Sequence, residues 1–273
     1  MLEVSRSGFY ACQDRPESDH AQTDRRLRAL VRTSFHTSRR RYGSPRVHQD
    51  LIEQDIRVSR KRVVRLMRED GLQARKRKRF KVTTMSQHDH PVAPNVLDRQ
   101  FTAATVNQRW VGDTTEFVIG EHGKLYLAAI LDLFSRFVVG WAISAANDHH
   151  LTIKALEMAL KRRCPESGLL HHSDRGSPYA SKDYQAILDA HGITCSMSRS
   201  GDCFDNAVME AFFSTVKTEL GDRFETGAHA RQALFEYLEA FYNQRRRHSS
   251  IGYLCPAVFE QRVWSAQTSG PGL

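Results

Sequence analysis

Three acidic residues, Asp113, Asp174 and Glu210, have the types and surroundings to do chemistry together. Hard divalent cations such as Mg²⁺ take oxygen ligands and water, so carboxylates converging on a basic chain point to metal ions held against a phosphodiester backbone. Taken singly, each acid has a plainer reading, an aspartate in a strand being commonly paired with an arginine or a backbone donor. Three gathered at one point repel one another unless a cation lies between them or one keeps its proton.

The elements that must position these acids follow from hydrophobic period and turn residues. Trp110 to Ile119, Leu125 to Phe134 and Phe137 to Ser144 are apolar runs rich in branched and aromatic residues, joined by Glu121-His122-Gly123 and by Ser135-Arg136. They predict three consecutive antiparallel strands, apolar enough on both faces to lie in the middle of a covered sheet. A helix is expected from about His150 to Arg163, then a short strand from Gly168 to His172 and a turn at Ser173-Asp174-Arg175-Gly176. Ser181 is placed to cap a helix running to His191, and Thr194 to Met197 supplies a last short strand. The order predicts an α/β fold whose mixed sheet is covered by helices on both faces.

In that scheme Asp113 interrupts an apolar strand, where an unpaired charge is costly, and Asp174 stands at a strand end. Both call for a cationic partner. Glu210 belongs to a helix from Ala207 to Leu220 whose apolar stripe is Val208, Met209, Phe212, Phe213, Val216 and Leu220. Lys217, seven residues on, lies about 20° away around the helix, so an acid and a base share one edge. Lys217 is therefore a candidate to steer a phosphate toward the metal site.

Residues 24 to 72 read as short helices. Leu27, Leu30 and Val31 fit one face of the first. Gly43-Ser44-Pro45 breaks the chain before a second that carries Val47, Leu51 and Ile52. Ser59 is placed as N-cap and Gly71 as stop for a third, with Val63, Val64, Leu66 and Met67 on one side and Lys61, Arg65 and Arg68 on the other. That is the form of a helix-turn-helix recognition element, or of a solvated basic helix in a small bundle. The run Arg75-Lys76-Arg77-Lys78-Arg79-Phe80-Lys81 then reads as a linker whose cations gain free energy on a phosphate backbone through counterion release, or as linker alone. The expected organisation is a helical region 1–73, a basic linker 74–104, a catalytic core with C-terminal helices 105–265, and a flexible tail 266–273.

Charge supports this division. Residues 1 to 109 carry 24 Lys and Arg against 12 Asp and Glu, and residues 110 to 273 carry 16 against 19. A front near +12 seeks a polyanion, most simply nucleic acid. A membrane surface is the weaker alternative, since no apolar stretch is long enough to span a bilayer and no signal peptide opens the chain. The five cysteines form no Cys-x-x-Cys pair, and Cys195 and Cys203 lack a matching His spacing, so reduced thiols are expected and zinc is not. His171 and His172 flank the site and suit a supporting role better than Mg²⁺ ligation. Arg245, Arg246 and Arg247 are either a DNA-strand contact or a solvated helix end. No Gly-rich phosphate loop and no serine-hydrolase elbow appears.

The strings Trp110-Val111-Gly112-Asp113-Thr114-Thr115, Leu131-Asp132-Leu133-Phe134-Ser135-Arg136, His172-Ser173-Asp174-Arg175-Gly176-Ser177 and Asp205-Asn206-Ala207-Val208-Met209-Glu210 resemble the motifs of the DDE transposases of bacterial insertion sequences. The chain is most similar to the second-frame products (OrfB) of the IS-three family, whose core is similar to that of retroviral integrases. Tyr242-Asn243-Gln244-Arg245-Arg246-Arg247-His248-Ser249-Ser250 and Tyr42-Gly43-Ser44-Pro45-Arg46 also resemble that family.

The resemblance implies a ribonuclease H-like core behind a helix-turn-helix-like domain, with Asp113, Asp174 and Glu210 holding two Mg²⁺ or Mn²⁺ ions. It implies cleavage at the terminal inverted repeats of the element and joining of the freed 3′ end to target DNA, by in-line attack of water or a 3′-hydroxyl. It implies a homo-oligomer on DNA in the bacterial cytoplasm, associated with the nucleoid when bound, and an upstream-frame product (OrfA), usually joined by frameshifting, as partner. Thr115 and Glu116 depart from the family, where Ile or Thr and then Tyr often stand, and this polar pair is expected to lower stability. A DNA-binding regulator with a dead core and a stand-alone nuclease remain the alternatives.

Overall fold

The computed structural model describes residues 5–13, 16–75, 91–200 and 202–268, and the chain forms two compact units that divide after residue 75.

The first unit is helical: α1 (Arg6–Gln13), α2 (Asp19–Thr37), α3 (Ser44–Glu53) and α4 (Arg60–Glu69). Ser18 caps α2 by accepting the Ala21 N–H, Ser59 caps α4 by accepting that of Arg62, and Pro45 sits in the first turn of α3. Gly71 follows α4 with φ +64, a left-handed position that suits glycine. Leu27, Val31 and Phe35 of α2 bury against Val47 and Leu51 of α3 and Val63, Leu66 and Met67 of α4. Ile52, expected in this stripe, is exposed instead, and Leu30 and Val64 are half-buried.

The basic side of α4 also differs from expectation. Arg65 is turned onto α2, where its guanidinium pairs with Asp24 at 2.6 Å, and it pairs with Glu69 at 2.9 Å. Arg62 joins the same Asp24 at 2.7 Å. Arg65 thus ties α4 to α2, with its side chain still 41% exposed. Lys61 and Arg68 stay exposed and enter no ion pair among the described residues.

The Arg65 hydrogen bond, with Arg62 beside it, holds the Asp24 carboxyl down from its usual 3.8 to about 2. A depressed acid contributes stability that is fully present above 3.8 and is lost as pH falls through about 2. Hydrogen exchange of the α2–α4 amides is therefore expected to quicken across that window, and Asp24→Asn to flatten the dependence. An Asp24→Asn variant with the same acid profile as the parent would show that other groups set it.

The second unit is α/β. Three antiparallel strands, β1 (Arg109–Ile119), β2 (Gly123–Asp132) and β3 (Val138–Ser144), lead into α5 (His149–Arg163), β4 (Leu170–Ser173), α6 (Ser177–Ala180), α7 (Lys182–Ala190), β5 (Thr194–Met197) and α8 (Ala207–Leu220). The spatial order β3-β2-β1-β4-β5 puts β1 in the centre, antiparallel to β2 and parallel to β4. A two-residue β6 (Arg223–Phe224) pairs with the far end of β1, which no sequence pattern foretold. After α9 (Gly227–Phe235) the helix widens into a π-type turn through Tyr242, and α10 (Pro256–Thr268) follows.

Each face of the sheet has its own core. Val111, Phe117, Leu127, Ala129 and Leu131 pack under α8 and α9, with Met209, Phe212, Val216 and Leu234. Trp110, Ala128 and Ile130 pack under α5 and α7, with Leu156, Ala159 and Leu188. Glycine at position 140 lets α5 lie on β3, because a Cβ there would stand 2.1 Å from the Ala155 carbonyl oxygen. The polar pair Thr115 and Glu116 costs less than expected, since Glu116 is exposed and pairs with Lys124 at 3.1 Å.

Candidate active site

Strand parity decides which way Asp113 points. Side chains alternate along a strand, so Asp113 shares a face with Val111 and Phe117, the face covered by α8. The parallel register pairs Trp110 with His171 and Val111 with His172. Asp113 and Asp174 each lie two residues beyond the last of these pairs, Asp174 just past the end of β4, and the charge of Asp174 is felt at Asp113. Asp174 leaves β4 in a turn closed by its own carboxylate, which accepts the Gly176 N–H at 2.9 Å.

Above these two acids lies α8. Lys217 stands over the ring of Phe117, with Nζ 5.6 Å from its centre, and so fixes the edge of α8 that faces β1. Glu210 lies on that edge two turns earlier and is exposed. The charges of Asp174 and Glu210 are both felt at Asp113. Burial pushes the Asp113 carboxyl well above the usual carboxylate range, the charge of Asp174 adds to the rise and Glu210 adds again, while the Thr114 N–H at 2.7 Å and Lys217 oppose it. Burial raises Glu210 and lowers Lys217. Among the described residues no three His, Cys, Asp or Glu side chains are already drawn tightly enough to enclose an ion. The donor set still fits one, since it is all oxygen and its mutual repulsion is what a divalent cation relieves.

The floor beneath the acids is neutral and pinned. His171 lies on the opposite face, where its Nε2 bonds Tyr184 Oη at 2.7 Å. Ser196 Oγ accepts the Val96 and Leu97 N–H groups, so its own hydrogen goes to His172 Nδ1 at 2.8 Å, and Nε2 faces Ser198 Oγ at 3.2 Å. Burial lowers His171 to about 3 and His172 to about 4, so both imidazoles are uncharged at neutral pH. Gly112 makes this contact close, as a Cβ there would meet His171 Cε1 at 2.9 Å. Gly112→Ala is expected to cost about 1–3 kcal/mol in urea unfolding, the usual range for overpacking, and to lower strand cleavage by shifting Asp113. A variant of unchanged stability and activity would show that His171 yields freely.

The residues that seat Glu210 escaped the sequence reading. Asp205, fully buried just before α8, accepts from Arg199 Nη2 at 2.8 Å, Arg99 Nε at 2.9 Å and Asn95 Nδ2 at 2.8 Å. Arg199 first, and Arg99 with it, hold its carboxyl far below the usual range. The signal was an acid five residues before Glu210 inside a quoted motif, and its partners lie a hundred residues upstream as well as six.

The expected cluster of Arg245, Arg246 and Arg247 divides three ways. Arg246 is buried and clamps Glu219, with Nη2 2.8 Å from Oε1, so it is corrected from DNA contact to core ion pair. Arg247 is half-buried and donates to the Tyr253 carbonyl at 3.1 Å. Arg245 remains exposed. Lys76, Arg77 and Lys78 lie outside the described residues.

With this geometry, comparison with known proteins is decisive. The family described as "Integrase core domain" matches residues 103–203, a second family of that description matches 191–256, and "HTH-like domain" matches 22–80. Transposase InsF for insertion sequence IS3A of Escherichia coli (strain K12) is 39% identical over 96% of this chain and 92% of its own. The chain belongs to the IS3 family of transposases. The insertion element IS600 uncharacterized 31 kDa protein of Shigella sonnei is 42% identical over 96% of this chain and 97% of its own. A solved structure, the HTLV-2 integrase catalytic core domain in complex with magnesium, aligns at TM-score 0.41 and 17% identity over 57% of this chain and 98% of that one. An IS3-family transposase is a polynucleotidyl transferase, and its integrase core is the unit that carries the three acids here. No helix among the described residues is long and apolar enough to cross a membrane.

Proposed function

We propose that Asp113, Asp174 and Glu210 are the catalytic and metal-holding residues of this transposase, and that they hold two Mg²⁺ or Mn²⁺ ions. The observation that supports this is the parallel pairing of β1 with β4, whose last pair lies two residues before Asp113 and Asp174, together with the rise that the charges of Asp174 and Glu210 cause at Asp113. Ions bound there would activate the attacking oxygen and stabilise the leaving one. The chain's own part is to orient. Asp113 is fixed by the Thr114 N–H, Asp174 by its closed turn, and Glu210 rides a helix seated by Asp205 and swings inward to complete the set. Lys217, desolvated on Phe117 and on the same edge, is placed to hold a phosphate of the strand being cut.

The DNA substrate is bound by lysines and arginines. Lys61 and Arg68 on α4, Arg75, Lys76, Arg77 and Lys78 of the basic run, Lys217 and Arg245 fill this role. The proposal extends to the terminal inverted repeats as the DNA cut, to further copies of the chain on those ends, to an upstream-frame product as partner, and to the cytoplasm as the place of action.

Labelled DNA bearing the ends of the element, incubated with the protein and Mg²⁺, is expected to yield cut strands and then joined products. DNA that is shifted but never cut would overturn the reading, and cutting with no joining would reduce it to a nuclease. Replacing Lys61 and Arg68 by Gln should lower the slope of log affinity against log salt by about two, near 0.9 per lost phosphate contact. An unchanged slope would show that α4 faces solvent in the complex.

A further inference from the structure

Beside the edge of α8 that faces the acids lies a cavity of about 310 Å³, closed by the turn after β2 and by the segment from Tyr242 to Ser250. Its volume is at the lower end of the roughly 300–1,000 Å³ of small-molecule sites. Val208, Ala211 and Thr215 of α8 form one wall, and Phe212, Leu131 and Tyr242 form its apolar depth. Ala211, next in sequence to Glu210, is exposed, so the cavity opens about 100° around the helix from the acids.

One cation lining this cavity has no ion-pair partner among the described residues. Arg246 is neutralised by Glu219. Arg136 forms no ion pair with any described residue, and its Nη2 donates to the Phe101 carbonyl at 3.1 Å. Asp132, the nearby buried acid, is committed to the N–H groups of Asn107 and Phe134 at 2.7 and 2.8 Å. Arg136 is held in place by a left-handed backbone, φ 64, at the tight turn where its N–H returns to the Asp132 carbonyl. Non-glycine residues rarely adopt that conformation, and they keep it where the surroundings over-determine them. Burial lowers its pKa, the mark of a cation whose desolvation outweighs the counter-charge near it.

A fixed, half-buried guanidinium at the mouth of an apolar hollow matches one kind of ligand on DNA. Phosphate takes the remaining N–H donors of arginine, and a base without its pairing partner gains free energy by leaving water for an apolar wall. A paired base cannot enter, because its faces are stacked and its edge engaged. We propose that this cavity takes a single unpaired nucleotide of the substrate strand, its phosphate on Arg136 and its base against Val208, Ala211 and the edge of Phe212. The inference rests on the reading of α8 as the helix over the active site. It adds that the strand is held open next to the cut.

The test uses the full-length protein with two fluorescent probes, a ten-nucleotide oligothymidylate and a blunt duplex of the same length, read by anisotropy. Ala211→Trp fills the cavity from an exposed helix position, and Arg136→Gln removes the cation. Each is expected to weaken oligothymidylate binding about tenfold, within the range for losing one stacked base, and to leave duplex binding within about twofold. Because Arg136 also braces Phe101, Arg136→Lys is included, and partial recovery is expected from it. Unchanged oligothymidylate affinity in Ala211→Trp, or a parent that does not bind the probe, overturns the proposal. The cleavage and joining assay is separate: a parent that joins DNA while these variants bind normally rejects the cavity and keeps the transposase reading, and the reverse pattern rejects the assignment of the acids alone.

Discussion

Asp113→Asn, Asp174→Asn and Glu210→Gln are each expected to lower strand cleavage by about 10³-fold or more, about 4 kcal/mol of barrier, with DNA binding within about twofold of the parent. Each change keeps the shape of the side chain and removes the charge that a cation needs. Binding is expected to survive because the cations proposed to contact DNA lie elsewhere, on α4, in the basic run and at Arg245. The Asp113 change carries a second signature. Its carboxyl is raised by burial and by the two other acids, so in metal-free protein at neutral pH its charge opposes folding. Asp113→Asn is therefore expected to melt higher than the parent in chelator and to lose that advantage when Mg²⁺ is added. Normal cleavage by any of the three variants removes that acid from the site, and an Asp113→Asn variant that melts lower without metal contradicts the crowding of charge described for β1 and β4.

Arg246→Ala is expected to destabilise the protein by about 3–5 kcal/mol, the range for breaking one side of a buried ion pair. Arg246 and Glu219 are 5% and 8% exposed, and the Tyr237 hydroxyl donates to the same carboxylate at 2.8 Å. Removal of the guanidinium strands a buried anion between Tyr237 and the sheet-covering helix. Replacing both partners, Arg246→Met with Glu219→Leu, should recover much of the loss, because an apolar pair of similar volume needs no compensation. Urea midpoints measure the effect, and DNA affinity per folded molecule should not move. A stable Arg246→Ala protein with weakened DNA binding would return Arg246 to the DNA-contact residues.

The contrast between these two predictions shows where the sequence was informative. The three long strands were legible because branched and aromatic runs bounded by Gly, Ser and His have one stable solution, and observed bounds lie within a few residues of expected ones. Asp113, Asp174 and Glu210 stood out as a set, since each taken singly had an ordinary reading and only three together called for a cation. Their convergence was not legible in the same way, since it depends on β4 crossing back to lie parallel to β1, a pairing between residues about sixty positions apart. The burial of Arg246 and the ion pairs of Arg65 were unseen for one reason: a basic residue on a helix reads as solvated until its partner is known. The partners, Glu219 and Asp24, lie 27 and 41 residues away. Asp205 was quoted in a motif and given no role, because a clamp is defined by what it holds.

The acids also differ in how their backbones are secured. Asp113 sits on the central strand, with β2 on one side and β4 on the other, where amides are expected to exchange more slowly than those of the turn before α8. Glu210 follows the short turn Cys203–Asn206, which is anchored through the Asp205 carboxylate to Arg199 and Arg99. Release of that one anchor is expected to free the start of α8, and Glu210 with it, without touching β1. An opened state of this turn, with Glu210 displaced and the sheet still folded, is therefore expected to cost less than unfolding the unit. A ligand that bridges α8 to β1 closes that state, and it will slow amide exchange around Asp205 and the first turn of α8 before it changes the exchange of β1.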